Sequence, residues 1–458
     1  MSTSSAIRKP PSSNELGTES IPQLVIKQSV PAAIGFLIMS IYSIVDTIFV
    51  GRFVGTLAIG AITVVMPISF LISSIGMAIG VGGASMISRA LGSNDRKRAL
   101  KTFGNMINAT LHFSAVLVLI GFIFEDPILI MFGGKGEILP FAKEYFRVLL
   151  IGVPFLAWAM MANNVIRAQG KPKVAMLTMV IPAVINTILD PIFIIVFDMG
   201  LAGAAWATTI SYIISAIYTL VYFIKGKSEM RIVGKYFKLD FAIISEILSI
   251  GSITLARQGS ISVLIVVLNH SLFQHAGELG IAVYGVVNRV MMFALFPVIG
   301  ISQGFLPIAG YNYGARNISR VKESINISIK YSTFMAATIL IFVLLFSETI
   351  VSTFTTDQDL IKNSSHAMIW IFLMMPLIAV QMVGSGYFQA IGKTLPALFL
   401  TLTKQGFFLI PLVLVLPRSF GLDGIWYSFP IADLLSAVVT WVFLKREMSK
   451  NLQPVIDI

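Results

Sequence analysis

The chain has 458 residues, 56% hydrophobic and 12% charged, with a mean hydropathy of +0.86. A soluble chain normally carries about 25% charged residues, so this composition excludes a water-soluble globular protein and implies an integral membrane protein in contact with the lipid bilayer. The absence of cysteine excludes disulfides, thiolate catalysis and thiolate metal sites, and the net charge of +11 is assigned to loops facing anionic lipid, with no nucleic-acid partner expected.

The first twenty residues, MSTSSAIRKPPSSNELGTES, are polar and contain no apolar core. Residues 1–23 are therefore expected to be a disordered cytoplasmic tail and not a signal peptide. Twelve apolar helical spans follow, predicted at 24–51, 57–88, 99–123, 141–167, 173–197, 201–224, 241–271, 279–310, 321–346, 362–389, 395–416 and 421–444. Most approach the ~20 apolar residues that a bilayer crossing needs, and none shows the ten-residue alternation of a membrane β-barrel. The expected fold class is an all-α integral membrane protein.

Basic residues sort by side. Arg89, Arg96, Lys97, Arg98 and Lys101 lie between spans two and three, and Arg167, Lys171 and Lys173 follow span four. Others follow spans six and eight and close the chain, whereas the intervening loops carry Glu125, Asp126, Glu137, Asp198, Glu278, Asp357 and Asp359. This alternation places both termini in the cytoplasm of a multi-pass protein of the inner (plasma) membrane.

The chain repeats itself at a shift of 222. Gly55–Val65 (GTLAIGAITVV) falls on Gly277–Val287 (GELGIAVYGVV), Gly82 on Gly304, Gly92 on Gly314, Pro154 on Pro376 and RAQGK at Arg167 on QAIGK at Gln389. Each repeat holds six spans, an even number, so both enter from the same side and are related by a pseudo-two-fold axis along the membrane normal. The expected organisation is an N-terminal lobe, 24–225, a basic cytoplasmic linker, 226–240, lying on the inner leaflet, a C-terminal lobe, 241–445, and a tail, 446–458. Two six-helix lobes with a cleft between them suit a transporter, and a monomer is expected.

Polar residues inside spans break the repeat. Asp46 stands in span one, and INTILDP (Ile185–Pro191) in span five sets Asn186 and Asp190 four apart on one helix face. Pro191 lacks an N–H and frees the carbonyl of Thr187. Carboxylates, an amide and a freed carbonyl are hard oxygen ligands suited to Na⁺ or a proton. Across the repeat Asp46 maps to Leu268, Asn186 to Phe408 and Asp190 to Leu412, so the acid chemistry belongs to the first lobe. A competing reading makes Asp46 an interfacial ion pair with Arg52. Pro31 is expected to kink span one. Arg257, Arg289, Lys404 and Asp433 lie in second-lobe spans, with function and structure both open. Met39, Tyr42, Met66, Phe70, Met160, Met161 and Gln258 are candidate cleft-lining residues, since thioethers and rings repack around varied ligands; core or lipid-facing packing is the alternative for the apolar ones.

With VDTIFVGR in span one, RAQGKP and QAIGK after spans four and ten, and NTILDP in span five, the chain resembles the multidrug and toxic compound extrusion (MATE) family over residues 24–445, most closely its DinF-like branch. That resemblance implies a cation site of Asp46, Asn186 and Asp190, joined by Thr208 of AAWATT, with Na⁺ as its metal if coupling is to Na⁺, and with Pro31 at the position that bends span one. It implies no enzymatic activity and no cofactor beyond the coupling ion, H⁺ or Na⁺. The expected function is antiport that exports small organic, amphipathic cations by alternating access. A lipid-linked precursor flippase and a major facilitator type transporter are the alternatives.

Overall fold

Among the described residues ten helices are long and apolar enough to cross a bilayer, and a bent pair supplies an eleventh span. The run Phe241–Gly314 would be about 110 Å long as one helix, against a hydrocarbon core of about 30 Å. It divides at Gly277, whose φ of 58° and ψ of −144° are not helical and favour a residue without Cβ. Twelve membrane helices result among the described residues. The computed structural model describes residues 12–225 and 228–452, and their regular structure is entirely helical.

The helices are α1 (Ile21–Phe53), α2 (Thr56–Gly92), α3 (Arg96–Ile123), α4 (Ile138–Ala168), α5 (Pro172–Pro191, prolonged by a π-helical turn, Ile192–Val196) and α6 (Gly200–Ile224). The second lobe holds α7 (241–276), α8 (278–314) and α9 (Ile318–Ser352). In α10, Gln358–Phe372 bends by 46° into Met375–Ala390. Helix α11 runs from Thr394–Leu402 through a π-helical stretch, Thr403–Leu409, to Ile410–Val415, and α12 is Pro417–Lys450 with a break at Gly421.

The repeat is visible in the backbone. Left-handed residues recur in pairs: Gly55 and Gly277, Asn94 and Arg316, Gly170 and Gly392, and, at a shift of 221, Gly200 and Gly421. It is visible again where the lobes touch. Gly92 of α2 lies on the backbone of Tyr311 in α8, and Gly314 of α8 lies on Arg89 in α2, each the other's counterpart. Likewise Gly82 packs on Ile247 and Gly251 of α7, while Gly304 packs on Gln28 and Ser29 of α1. A Cβ at any of these glycines would overlap backbone of the opposite lobe. Charge reinforces the contact: Arg89 and Arg98 reach across to Glu246 of α7 at 2.9 and 3.0 Å.

These contacts all lie in the halves of α1, α2, α7 and α8 nearest the described termini. In the opposite half Met66 and Phe70 are 48% and 58% exposed. The lobes are thus joined at the end carrying the termini.

Three boundaries differ from expectation. Residues 1–11 lie outside the described residues, but the rest of the expected disordered tail is ordered: Ser12–Asn14 and Glu15–Thr18 are helical turns, and α1 begins at Ile21. Leu16 is fully buried, Asn312 and Arg320 donate to its carbonyl, Ser13 bonds Glu229, and Lys27 pairs with Glu15 and Glu19. Polar composition misled because the segment buries one leucine and satisfies its backbone through second-lobe side chains. The linker, of which 226–227 lie outside the described residues, docks on the first lobe. Gln169 Oε1 accepts from Ser228 Oγ and from the Glu229 and Met230 N–H groups, and Asn108 donates to the Phe237 carbonyl. The Lys101 ammonium bonds Asp240 at 2.5 Å and holds its carboxyl below the usual carboxylate range, assisted by the N–H of Ile243. That contact is complete above the ordinary aspartate pKa and is lost only as pH falls through the lowered one. Finally, α12 continues through 446–450, and only 453–458 of the expected tail lie outside the described residues.

Gly92→Val is expected to weaken the joined end by about 1–3 kcal/mol, as overpacking does. A lower Tm and a longer distance between spin labels at Lys97 and Lys322 would register it; an unchanged distance distribution and Tm would contradict the close approach.

Candidate functional site

In the first lobe the acidic side chains predicted to form a site come together. Asp46 of α1 and Asp190 of α5 face one another within hydrogen-bonding reach. Asp190, Asn186 and Thr208 are buried. One turn before Asp190 on the same face, the Asn186 amide, in the orientation that satisfies both neighbours, donates from Nδ2 to Asp190 Oδ2 at 2.8 Å and accepts at Oδ1 from the Thr208 hydroxyl at 3.1 Å and N–H at 3.2 Å. Three helices, α1, α5 and α6, thus meet at four polar side chains. Immediately beyond Asp190, α5 passes through Pro191 into the π-helical turn, an irregularity that recurs at functional sites.

Asp46 Oδ1 is buried and has no hydrogen-bond partner among the described residues. The Arg52 pairing is not formed: Arg52 makes no ion pair among the described residues, and its guanidinium lies over the Phe53 ring. Two carboxyls at this separation repel when both are ionised, so the arrangement calls for a shared proton or a small cation between them. The donor set fits either. Two carboxylates, an amide oxygen and a hydroxyl are hard oxygens suited to Na⁺, and the orphaned Asp46 oxygen is available to such an ion.

Sequence reasoning missed two neighbours. Tyr145 of α4 lies in the field of both acids, and Tyr212 of α6 lies within hydrogen-bonding reach of Tyr42 and near Asp46. Neither stands in a motif. Their helical faces were the only signal, since Tyr212 follows Thr208 by one turn.

The second lobe replaces this chemistry with apolar packing. Leu268, the counterpart of Asp46, is fully buried in a cluster against which Phe408 and Leu412, counterparts of Asn186 and Asp190, pack. One pair of its own charges is matched: Lys404 Nζ meets the buried Asp433 Oδ1 at 2.5 Å. Arg289 is exposed, and Arg257, half-buried on α7, forms no ion pair among the described residues.

The expected cleft residues divide. Met66, Phe70 and Gln258 are exposed, and Met39, Tyr42 and Met160 are half-buried. Met161 is a correction: it is fully buried in the core with Ile79, Val165 and Met106, because α4 turns that face inward. Pro31 lies within an uninterrupted α1.

Removing one member of a buried ion pair strands the other at a cost of about 3–5 kcal/mol, whereas replacing both with apolar groups is close to neutral. Lys404→Met alone should therefore lower Tm sharply, and Lys404→Met with Asp433→Leu should restore it. Failure of the double variant to recover would show that the pair does more than balance charge.

Comparison with known proteins agrees with this architecture. The MatE family model matches twice, over residues 31–192 and 252–415, with starts offset by nearly the internal repeat. The chain is 30% identical over 421 residues to the multidrug export protein MepA of Staphylococcus aureus (strain MSSA476), covering 92% of this chain and 93% of the relative. It is 29% identical over 418 residues to MepA of Staphylococcus haemolyticus (strain JCSC1435), covering 91% and 92%. Among solved structures, one described as MATE in the straight conformation superposes with a TM-score of 0.91 at 25% identity, covering 96% of this chain and 98% of that one. Another, described as the outward-facing conformation of a multidrug resistance MATE family transporter, gives 0.88 at 26% identity, covering 95% and 97%.

Proposed function

From the premise that this chain belongs to the MatE family, we propose that it is a multidrug efflux transporter, not an enzyme, that exports small organic cations in exchange for an inward-moving H⁺ or Na⁺. The observation that carries the coupling reading is the contact between Asp46 and Asp190, inside a lobe whose repeat partner manages the same positions with leucines. Each carboxylate near mid-membrane costs about 2.5–3.5 kcal/mol on insertion scales. A duplicated scaffold that tolerates Leu268 and Leu412 does not need acids for folding.

The cycle follows from the geometry. The basic residues at the joined end support a cytoplasmic position for it, and with that orientation the lobes open outward. A proton or Na⁺ entering from outside settles between Asp46 and Asp190, with Asn186 and Thr208 completing the oxygen set. Neutralising the pair removes their repulsion and lets the first lobe repack, with Pro31 as the point where α1 yields. Solved structures described as MATE in straight and in bent conformations support two such states. Coupling arises because cargo and ion prefer different states of one lobe, and its strength equals that difference in affinity. Met66, Phe70 and Tyr42 are the cargo contacts on the open side. The acids' confinement to the first lobe favours the DinF-like branch, and the protein acts as a monomer in the plasma membrane. Membership in MatE sets aside the major facilitator alternative. No observation favours the flippase.

In reconstituted vesicles, a pH gradient in Na⁺-free buffer or a Na⁺ gradient at equal pH should drive export of a cationic dye, and the gradient that works names the ion. Asp46→Asn should abolish this driven export while leaving Tm nearly unchanged. Undiminished gradient-driven export by that variant would remove the site from the mechanism.

A further inference from the structure

Near the joined end a small cavity lies between α2, α4, α8 and α10. Its walls are counterparts in the 222-residue repeat: Arg167 is matched by Gln389, Val81 by Gln303 and Ala84 by Leu306, which puts it on the pseudo-two-fold axis. About 30 Å³ is open to the centre of a water-sized sphere, where one water needs about 10–15 Å³. A single small ion or one or two waters fit, and a drug-sized molecule does not. Arg167 is 4% exposed, yet among the described residues no carboxylate lines the cavity or lies within ion-pair distance of the guanidinium. Its Nε donates to Asn163 Oδ1 at 2.9 Å, and one terminal nitrogen meets the Met179 sulfur at 3.7 Å. The other terminal nitrogen makes no hydrogen bond among the described residues, which leaves its two N–H groups unspent. The Gln303 amide likewise makes none, and Asn164 spends one amide N–H on the Met160 carbonyl at 2.9 Å. The remaining polar lining is occupied. Ser85 and Ser88 hydroxyls donate to backbone carbonyls, and Gln389 Nε2 donates to Thr254 Oγ1 at 3.4 Å.

A buried cation is ordinarily retained only with an anionic partner, and a guanidinium sheds its hydration more readily than an ammonium does. We propose that this cavity binds one chloride ion, held by the Arg167 guanidinium and Asn164 amide of the first lobe and the Gln303 amide of the second. The donor set is one cation and neutral N–H groups with no competing carboxylate, which suits a monovalent anion and repels a metal ion. One repeat brings arginine and the other brings glutamine at the matched position, so the site holds a single positive charge and takes a single negative one. It is separate from the acid pair: Asp190 stands 18 residues beyond Pro172 along α5, about 27 Å of helix rise from the end where Arg167 sits. Because the ligands come from both lobes, bound chloride strengthens their contact and is released when that end separates. That chloride favours the state open at the far end rests on the alternating-access reading above; its binding does not.

Thermal unfolding of the purified full-length protein in phosphatidylcholine nanodiscs tests binding without any export. Chloride replaces gluconate at fixed Na⁺ and fixed ionic strength. The wild-type protein should show a saturable rise in Tm with chloride, and bromide should reproduce it. Arg167→Gln, which installs the residue that the second repeat uses at this position, should raise the half-saturating chloride concentration about tenfold or more. Gln303→Val, the first repeat's residue, should raise it to a smaller extent. In wild-type crystals soaked in bromide, an anomalous-scattering peak should lie beside Arg167. A Tm response that does not saturate, or that is the same in the wild type and Arg167→Gln, overturns the proposal and leaves the cavity to water. Bromide peaks confined to other places overturn it as well. Should Arg167→Gln fail to fold, the Gln303→Val titration and the bromide peak still decide. If the vesicle assay shows no gradient-driven export while the chloride response persists, the transport reading fails and the chloride site stands.

Discussion

The contact between Asp46 and Asp190 is the constraint around which the first lobe is arranged. Lipid-facing helices can carry a carboxyl only if something offsets its desolvation. Here the offset is assembled from three helices: Asn186 one turn below Asp190 on α5, Thr208 from α6, and the second acid from α1. None of these supplies a fixed positive charge. In the proposed function the missing charge arrives from solution, which would turn an otherwise unfavourable burial into an ion-binding device.

The internal repeat makes the specialisation measurable within one molecule. Both lobes share turns, helix breaks and the glycine contacts that let α2 and α8 cross at backbone distance, so the scaffold is common to both. Charge is not common. Among the described residues the first lobe has an acid pair without a cation and, near the joined end, a buried arginine without an acid. The second lobe has a matched Lys404–Asp433 pair and leucines where the acids would stand. An inventory of charges would rank Asp433 beside Asp190, since both are buried. Only the partner distinguishes them: lysine for one, another carboxyl for the other.

Much of this was legible in the sequence. Apolar runs gave the number of helices, and a constant shift of 222 gave two parallel lobes because backbone geometry repeats with the residues that demand it, as at Gly277. That Asp46, Asn186, Asp190 and Thr208 come together was legible because intramembrane polar groups are costly enough that their presence is informative. Other features depend on facts that spacing does not contain. Met161 looked like a cleft residue because thioethers suit adaptable pockets, but which face of α4 turns inward is set by neighbouring helices. Tyr145 and Tyr212 sit in unremarkable contexts and reach the site only through tertiary packing. Ser12–Thr18 read as a polar tail, and its order comes from Asn312 and Arg320 nearly three hundred residues away.

Helix α1 connects the proposed ion site to the lobe contact. Its far half carries Asp46; its near half carries Ser29, which lies against Gly304 of the second lobe. Lys27, on that near half, is clamped by Glu15 and Glu19, and Arg320 of α9 holds the Glu19 carbonyl, so the beginning of α1 is fastened to the second lobe. A change in the charge at Asp46 acts on one end of a helix whose other end is held. Whatever displacement the acids produce has to be absorbed between these points, and Pro31, which lacks the N–H that would brace the helix there, is the position of least resistance. In the proposed cycle the near half of α1 therefore stays with the second lobe while its far half moves with the first, and one helix serves both as a ligand of the ion and as a tether between the lobes.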